Sequence, residues 1–444
     1  MFFIEMFGSF EKYFYLCGQY NGGVKMKRRI VLLCMLLLAV LSVSAQMVVS
    51  GVVTDRQTGR SLPHVSVTVE CNNMSDVDAK IQVHTVTNEE GRFTLKVLQE
   101  PRFIHVSHIG YQSRSMKVKT DVEQSIQIAL TTSSVNLQEV LVSADNALSI
   151  LRAAMRRLDV NYPQEPELMR CFYRETARRG SRYVSVAEAV MDMYKSDYSY
   201  GPEHDAVAIQ KGRRLMSMKA KDTLGVKIQG GPVMPLMVDV AKCPDYLLNE
   251  DNLSRYDLRL EMPVKIADRL QYVIRLSPKG PVVFPQMTGL LYIDQDMLAF
   301  TRAELELDMR DWRKASELML VKKPLGLHFR PKELSVTITY ETDDEGVTRM
   351  SYVRNVMRFN CDWKRRLFAS TYTTVSEMVV TDRLQQGREV KRPRGRSSFG
   401  LRERFYDKVA YFEDPDFWAA YNIIEPSEPL EHAIGKLKRN VQRH

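Results

Sequence analysis

Apolar residues at every second position, in short runs separated by turn residues, constrain this chain more than any other feature. Val65, Val67 and Val69 alternate with Ser66, Thr68 and Glu70. Ala299, Thr301, Ala303, Leu305 and Leu307 alternate with Phe300, Arg302, Glu304, Glu306 and Asp308. Strand side chains point to opposite faces in turn, so this period buries one face and wets the other. An antiparallel sheet with one solvated face needs such a pattern. The 444 residues exceed one ordinary domain. At 44% hydrophobic and 26% charged residues, global disorder, collagen and coiled-coil arrays are excluded. A helical multi-pass membrane protein is excluded as well, because one long apolar run is present.

That run is Ile30–Val43, preceded by Met26-Lys27-Arg28-Arg29 and followed by Ser42-Val43-Ser44-Ala45-Gln46. A basic stretch, an apolar stretch and small residues at Val43 and Ala45 form a cleavable export signal. A helix crossing a ~30 Å hydrocarbon core needs about 20 residues, more than the run supplies. Residues 26–45 are thus expected to be a signal peptide, residues 1–25 an over-long gene start, and Gln46 the first mature residue. Cys34 sits inside the apolar stretch behind Leu33, which does not suit lipidation. The expected mature chain carries 58 Lys and Arg against 52 Asp and Glu, a net charge of +6. Such an excess suits an anionic envelope surface as well as nucleic acid, and export argues against nucleic acid. Cys71, Cys171, Cys243 and Cys361 remain. Export permits disulfides, and four Cys allow three pairings. The spacings are wide, no CxxC occurs, and a chain this long does not need staples. Most of the four are expected as buried free thiols.

Residues 47–53 read as a strand, and Thr54–Arg60 as a turn with Gly59 suited to positive φ. After the Val65–Val69 strand, Cys71–His84 reads as a polar loop. Asn88-Glu89-Glu90-Gly91 is a hairpin turn, with Phe93 and Leu95 beyond it on one face. Ile104, Val106 and Ile109 form another strand, and Ile126, Ile128 and Leu130 a further one. Short strands at this spacing predict an all-β sandwich. Gly51–Asp55, Thr58–Val67, Thr87–Phe93, Val106–Tyr111 and Leu137–Val142 occur in order, and this series resembles the carboxypeptidase regulatory-like domain. The resemblance implies a prealbumin-like sandwich of the Gram-negative envelope. It implies no peptidase. No receptor plug or long barrel follows, which excludes a TonB-dependent receptor.

The sandwich is expected over residues 46–132, a linker over 133–147 and a C-terminal α+β domain over 148–444. Asp145 can cap a helix to about Leu158, with Leu148, Leu151, Met155 and Leu158 on one face. Strands are expected at about 171–176 and 183–194, and residues 201–232 read as a long loop. Val233–Ala241 reads as a short helix. Further strands are expected near 256–261, 271–277, 288–294, 316–322, 334–341, 347–358 and 367–380. Asp294-Gln295-Asp296 and Asp343–Gly346 are turns. A last helix spans Glu428–Arg439, with Leu430, Ala433, Ile434 and Leu437 inward. The fold class is therefore mainly β with helices: a prealbumin-like β-sandwich followed by a broad, half-barrel-like antiparallel sheet. The second part resembles the lipoprotein-carrier class of periplasmic folds in topology. The junction from Glu139 to Glu175 resembles an envelope family built on the same N-terminal domain, from which no activity carries over.

Catalytic motifs are absent from the sequence: no Gly-x-Ser-x-Gly, no His-Glu-x-x-His, no Gly-rich phosphate loop. His105 and His108 are three apart, which on a strand places them on opposite faces and disfavours a shared metal. His64, His84, His204 and His328 are isolated in sequence. The Asp-x-Asp pairs at 76/78, 294/296 and 414/416 lack the Gly of a calcium loop, with Ile81, Ala299 and Ala419 in its place. Glu304 and Glu306 share a strand face with Arg302 and Asp308, as on a solvated sheet. Trp312 and Trp363 sit near charged turns, as half-buried packing residues do. Arg388, Lys391, Arg392, Arg394 and Arg396 cluster beside Pro393 and Gly395 and are candidates for binding an anionic surface.

No catalytic, cofactor-binding or metal residue is assigned, and no cofactor is expected. The expected function is a non-enzymatic, exported envelope protein with a binding or assembly role, its sandwich a docking module. Its expected partner is an envelope protein or an anionic glycan or lipid surface, in the periplasm or on the periplasmic face of the outer membrane. Two other readings stay open. A periplasmic carrier of a lipid or other apolar ligand needs an apolar cavity inside the sheet. An envelope hydrolase needs a cleft where distant Asp, Glu or His residues meet.

Overall fold

Seven strands build the N-terminal sandwich: β1 (Met47–Asp55), β2 (Ser66–Cys71), β3 (Ile81–Val86), β4 (Arg92–Val97), β5 (Pro101–Ser107), β6 (Arg114–Lys117) and β7 (Ile126–Leu130). They form two sheets in the orders β4-β1-β7 and β3-β2-β5-β6. The alternating valines of β2 pack with Val53, Phe93, Leu95, Ile104, Ile128 and Leu130 in one core. Asn88 makes the β3–β4 turn by accepting from the backbone N–H of Glu90 (3.0 Å) and Arg92 (2.9 Å) through Oδ1. Gly91 has φ +71°, and a Cβ there would lie 2.4 Å from the Val53 carbonyl oxygen. Only glycine fits both demands. The computed structural model describes residues 46–72, 81–118, 125–134, 144–217, 226–242, 248–280, 286–363, 369–400, 403–414 and 421–442. The expected signal peptide, Asp76, Asp78, Cys243 and Asp416 lie outside these residues, as does the Trp363 side chain.

Helix α1 (Ala144–Met155) leads into a second architecture. Its strands are β8 (Glu167–Arg179), β9 (Arg182–Lys195), β10 (Ala206–Met216), β12 (Tyr256–Ile266), β13 (Arg269–Pro278), β14 (Met287–Asp294), β15 (Phe300–Leu307), β17 (Leu327–Thr342), β18 (Thr348–Trp363) and β19 (Ser370–Gln386). They make one ten-stranded antiparallel sheet, ordered β10-β9-β8-β19-β18-β17-β15-β14-β13-β12 and not closed into a barrel. The short strands β11 (Lys227–Ile228) and β16 (Leu320–Lys322) pair with each other. Helices α2 (Met234–Met237), α3 (Trp312–Met319), α4 (Phe405–Val409) and α5 (Glu428–Gln442) accompany the sheet.

One face of this sheet is concave. Asp239, just after α2, accepts from Tyr340 Oη of β17 (2.8 Å) and from Lys195 Nζ of β9. Those strands are four apart in the sheet, about 19 Å if it were flat. The sheet therefore wraps around the segment carrying Asp239. Side chains from all ten strands join Ala147, Leu151 and Ala154 of α1 and Leu236 and Val240 in one inner core. Three tyrosines, Tyr162, Tyr198 and Tyr340, cluster there beside Lys195, Lys242, Asp205 and Asp239. Burial opposes ionisation of Asp239, but Lys195 and the hydrogen bonds outweigh it and hold its carboxyl below the usual range.

The other face carries the sandwich. Val86 of β3 packs with Phe172, Val190, Tyr352 and Val379 of the large sheet and with Ile424. The segment 421–428 straps the two together. Arg174 donates to the Ile424 carbonyl (2.6 Å) and pairs with Glu188, which also holds Arg213. Asn422 bonds both backbone groups of Lys96 on edge strand β4, and Asn88 Nδ2 donates to the Pro426 carbonyl (3.2 Å). Beyond the strap, Leu430, Ile434 and Leu437 of α5 cover Val186 and Leu215.

Four sequence expectations need correction. The expected polar loop Cys71–His84 contains the start of β3, which pairs residue for residue with β2. The expected loop 201–232 contains β10, paired with β9 over ten positions; a register shift between Ile209 and Lys211 breaks the alternation. The expected strand at 316–322 is mostly helix α3. Asp311 caps it by accepting from the backbone of Arg313 and Lys314, and Ala315 and Met319 bury one face at helical spacing. In β15 a register shift opposite Tyr292 and Ile293 displaces Thr301. Phe300, expected on the wet face, is consequently in the inner core.

Candidate functional site

Two cavities lie on opposite faces of the large sheet. The outer one, of about 580 Å³, separates the β3-β2-β5-β6 face of the sandwich from β13, β15, β17 and β18. It gathers His64, His84, His105 and His108. The sequence spacing set His105 and His108 on opposite faces; β5 ends at Ser107, so His108 lies past the strand and turns into the same cleft. Most charges here are already paired. His84 Nδ1 is 3.2 Å from Glu341, which also accepts from Ser66. Arg269 makes a two-pronged pair with Asp294 (2.5 and 2.8 Å), and Arg302 pairs with Glu304 (2.7 Å). His64 stacks on Tyr352, whose hydroxyl donates to Glu377 (2.9 Å). Burial holds His64 below the usual histidine value and, with Arg302 and His64 nearby, pushes His108 down to about 4. No group of three or more metal-ligating residues occurs among the described residues. The cleft is a polar interface whose groups largely satisfy one another.

The inner cavity, of about 210 Å³, is different. Its floor is a patch across β9, β8, β19 and β18. Glu175, Ser376 and Asn355 lie directly opposite one another in one cross-strand row. Ser185, Ala177, Thr374 and Met357 form the next row. Its walls include Val184, Met216, Val226, Ile228 and Phe405, with Lys227, Glu403, Arg404 and Asp407 among the charged lining. The polar row separates the inner core, with Tyr173, Val353 and Met378, from a second cluster containing Met357, Phe359 and Tyr372.

Glu175 lies deep in the protein, yet it stays partly accessible, and the cavity reaches it. It has no ion-pair partner among the described residues and accepts one hydrogen bond, from Tyr173 Oη at 3.3 Å. Burial pushes its carboxyl above the usual range, against the Tyr173 bond and Arg404. Asn355 is 4% exposed; its Nδ2 donates to Ser376 Oγ at 3.4 Å, while its Oδ1 has no partner. A buried acceptor without a donor costs about 1–3 kcal/mol. Sequence reasoning passed over these residues. The signal was present: Glu175 continues the inward series Met169, Cys171, Tyr173, so a carboxylate interrupts an apolar strand face.

The basic residues singled out by sequence stay at the surface. Lys391, Arg392, Arg394 and Arg396 are exposed, and Arg388 is 3.8 Å from Glu165. Arg392 is partly spent on the carbonyls of Glu203 and Asp205 (3.0 and 3.1 Å), and Arg396 lies over the exposed Tyr411 ring at 4.6 Å. Cys71, Cys171 and Cys361 are buried free thiols. Glu304 and Glu306 lie on the outer sheet face, and Glu304 is held by Arg302 and Tyr292. The Trp312 ring carries Arg313 and Arg330 at 5.6 and 5.8 Å.

Fold and cavities define a mainly β protein, in which a small prealbumin-like sandwich is docked on the back of a large open sheet. Residues 49–142 match the family model of the CarboxypepD_reg-like domain. No curated protein matches the chain. Among solved structures it is partly similar to a DUF1329 family protein from Desulfovibrio piger, at 13% identity and TM-score 0.23, over 56% of this chain and 93% of that one. It is similar in the same way to a LolA superfamily protein from Nitrosomonas europaea, at 15% identity and TM-score 0.20, over 53% and 94%. A Vibrio parahaemolyticus domain described as an outer membrane lipoprotein-sorting protein shares 10% identity at TM-score 0.26, over 56% and 95%.

Proposed function

We propose that this chain is an exported, non-catalytic carrier that holds an apolar or amphipathic ligand against the inner face of the large sheet. The inner cavity supports this reading: it lies inside the sheet, it is largely apolar, and its floor holds a few convergent polar groups. The outer cleft, although larger, offers mostly charges that already satisfy one another. The test is native mass spectrometry of the protein purified gently from its own host's envelope. Extra mass that disappears on solvent extraction, and that is missing from a Ser185→Trp variant filling the cavity, is the expected result. A bare mass in the unaltered protein overturns the reading.

A second reading, docking to an anionic envelope surface, is favoured by the exposed Lys391, Arg392, Arg394 and Arg396. It predicts salt-sensitive binding to anionic vesicles that falls when Lys391 and Arg394 become Gln. Binding that ignores both salt and these residues refutes it.

A further inference from the structure

Resting on the carrier reading, we infer that the floor of the inner cavity receives the head of an amphipathic molecule that donates hydrogen bonds and bears positive charge. A primary ammonium on an aliphatic chain has the required chemistry. The Glu175–Ser376–Asn355 row holds more hydrogen-bond acceptors than donors. A carboxylate offers about four acceptor positions; Glu175 uses one, for Tyr173. Asn355 Oδ1 is buried with no donor, while Asn355 Nδ2 is spent on Ser376. The row therefore has acceptors to spare.

An ammonium brings three donors and no acceptor, which matches that surplus. It also brings a positive charge into direct contact with Glu175, on which Arg404 acts without an ion-pair contact. A carboxylate or phosphate head brings acceptors and a like charge, and meets repulsion at the same place. The aliphatic part has Ala177, Met357, Val184, Val226 and Ile228 to lie against. The charged residues of the lining do not reverse this choice. Lys408 holds Glu403 (2.8 Å), and Arg404 is 3.8 Å from Asp407. Lys227 adds a positive charge to the wall, but it lies on β11, off the floor row.

The experiment displaces the apolar fluorophore N-phenyl-1-naphthylamine from the full chain at neutral pH, using octylamine, octanol and octanoate. Octylamine is expected to compete at least about tenfold better than octanoate. Glu175→Gln keeps the shape and removes the charge, and should bring the two within about threefold while octanol is unchanged. Two results overturn the head-group inference and leave the carrier standing: octanoate competing as well as octylamine, or a preference that survives Glu175→Gln in a variant with an unaltered circular dichroism spectrum. Failure of the fluorophore and all three competitors to bind overturns the carrier reading as well.

Discussion

Replacing Ile424 by Ala tests whether the sandwich is fixed to the sheet or merely tethered. Ile424 is 1% exposed and lies among Val86 of the sandwich and Phe172, Val190, Tyr352 and Val379 of the sheet. The substitution removes buried methyl and methylene groups from both sides of the joint and leaves a hole between them. It leaves the Ile424 carbonyl in place for Arg174, so packing alone is perturbed. Buried Ile-to-Ala changes cost about 2–5 kcal/mol. A residue walled on both sides by different elements should fall near 3 kcal/mol, or about a hundredfold in the docking equilibrium. Hydrogen exchange reads this directly. Amides of β3, which abuts β19, should lose about two decades of protection, while β14 and β15 keep theirs. Val160→Ala, at a position 62% exposed, is the control and should stay within about 0.5 kcal/mol. Unchanged β3 protection in Ile424→Ala would refute the strap as the element that fixes the sandwich.

Glu188→Gln removes the buried charge shared by Arg174 and Arg213 and should cost about 3–5 kcal/mol in denaturant unfolding, against less than 1 kcal/mol if the arginines find water. Gly289 has φ +147° in β14, and a Cβ would lie 1.9 Å from the Glu304 carbonyl oxygen. Gly289→Ala should therefore destabilise by more than about 1 kcal/mol, and a neutral result in thermal unfolding contradicts the strand register. Burial raises the folded-state pKa of Glu175, so the unfolded chain loses this proton first as pH rises. Stability falls from the ordinary glutamate range up to the folded value, and below that range both states are protonated. Glu175→Gln should thus melt higher than the unaltered protein at neutral pH and equally in acid; a difference that does not vary with pH rules this out.

What was legible in the sequence followed from how regular each strand is. The valines of β2 and the Asn88–Gly91 turn gave the sandwich, because one face of each strand is buried and the turn residue admits positive φ. β10 was missed because the register shift at Ile209 and Lys211 breaks the alternation and Arg213 and Arg214 mask the rest. Helix α3 was missed because Leu318 to Val321 is as apolar as a strand; only the cap at Asp311 and the Ala315–Met319 spacing distinguish it. The cavity was illegible for a different reason. Glu175, Asn355 and Ser376 are far apart in the chain, and only the order β8-β19-β18 makes them neighbours. Strand order comes from long-range pairing, which period-two patterns do not encode.

Adjacent residues of β8 divide their work between the two faces. Phe172 and Arg174 meet the sandwich and the strap, while Tyr173 and Glu175 meet the inner core and the cavity. A shift of this short backbone segment therefore moves the joint and the cavity floor together, since neither interior can absorb a displacement without loss of packing. If a ligand head on Glu175 fixes β8, it must favour the docked sandwich by the same factor by which docking favours the ligand. Octylamine should then slow exchange at β3, on the far face of the sheet, and Ile424→Ala should weaken octylamine binding by at most the same factor, reached when the sandwich is fully undocked. Slowed exchange confined to the cavity strands β8, β18 and β19, with octylamine affinity unchanged by Ile424→Ala, would mean that the two faces act independently. The sandwich would then be a fixed cover on the sheet and take no part in holding the ligand.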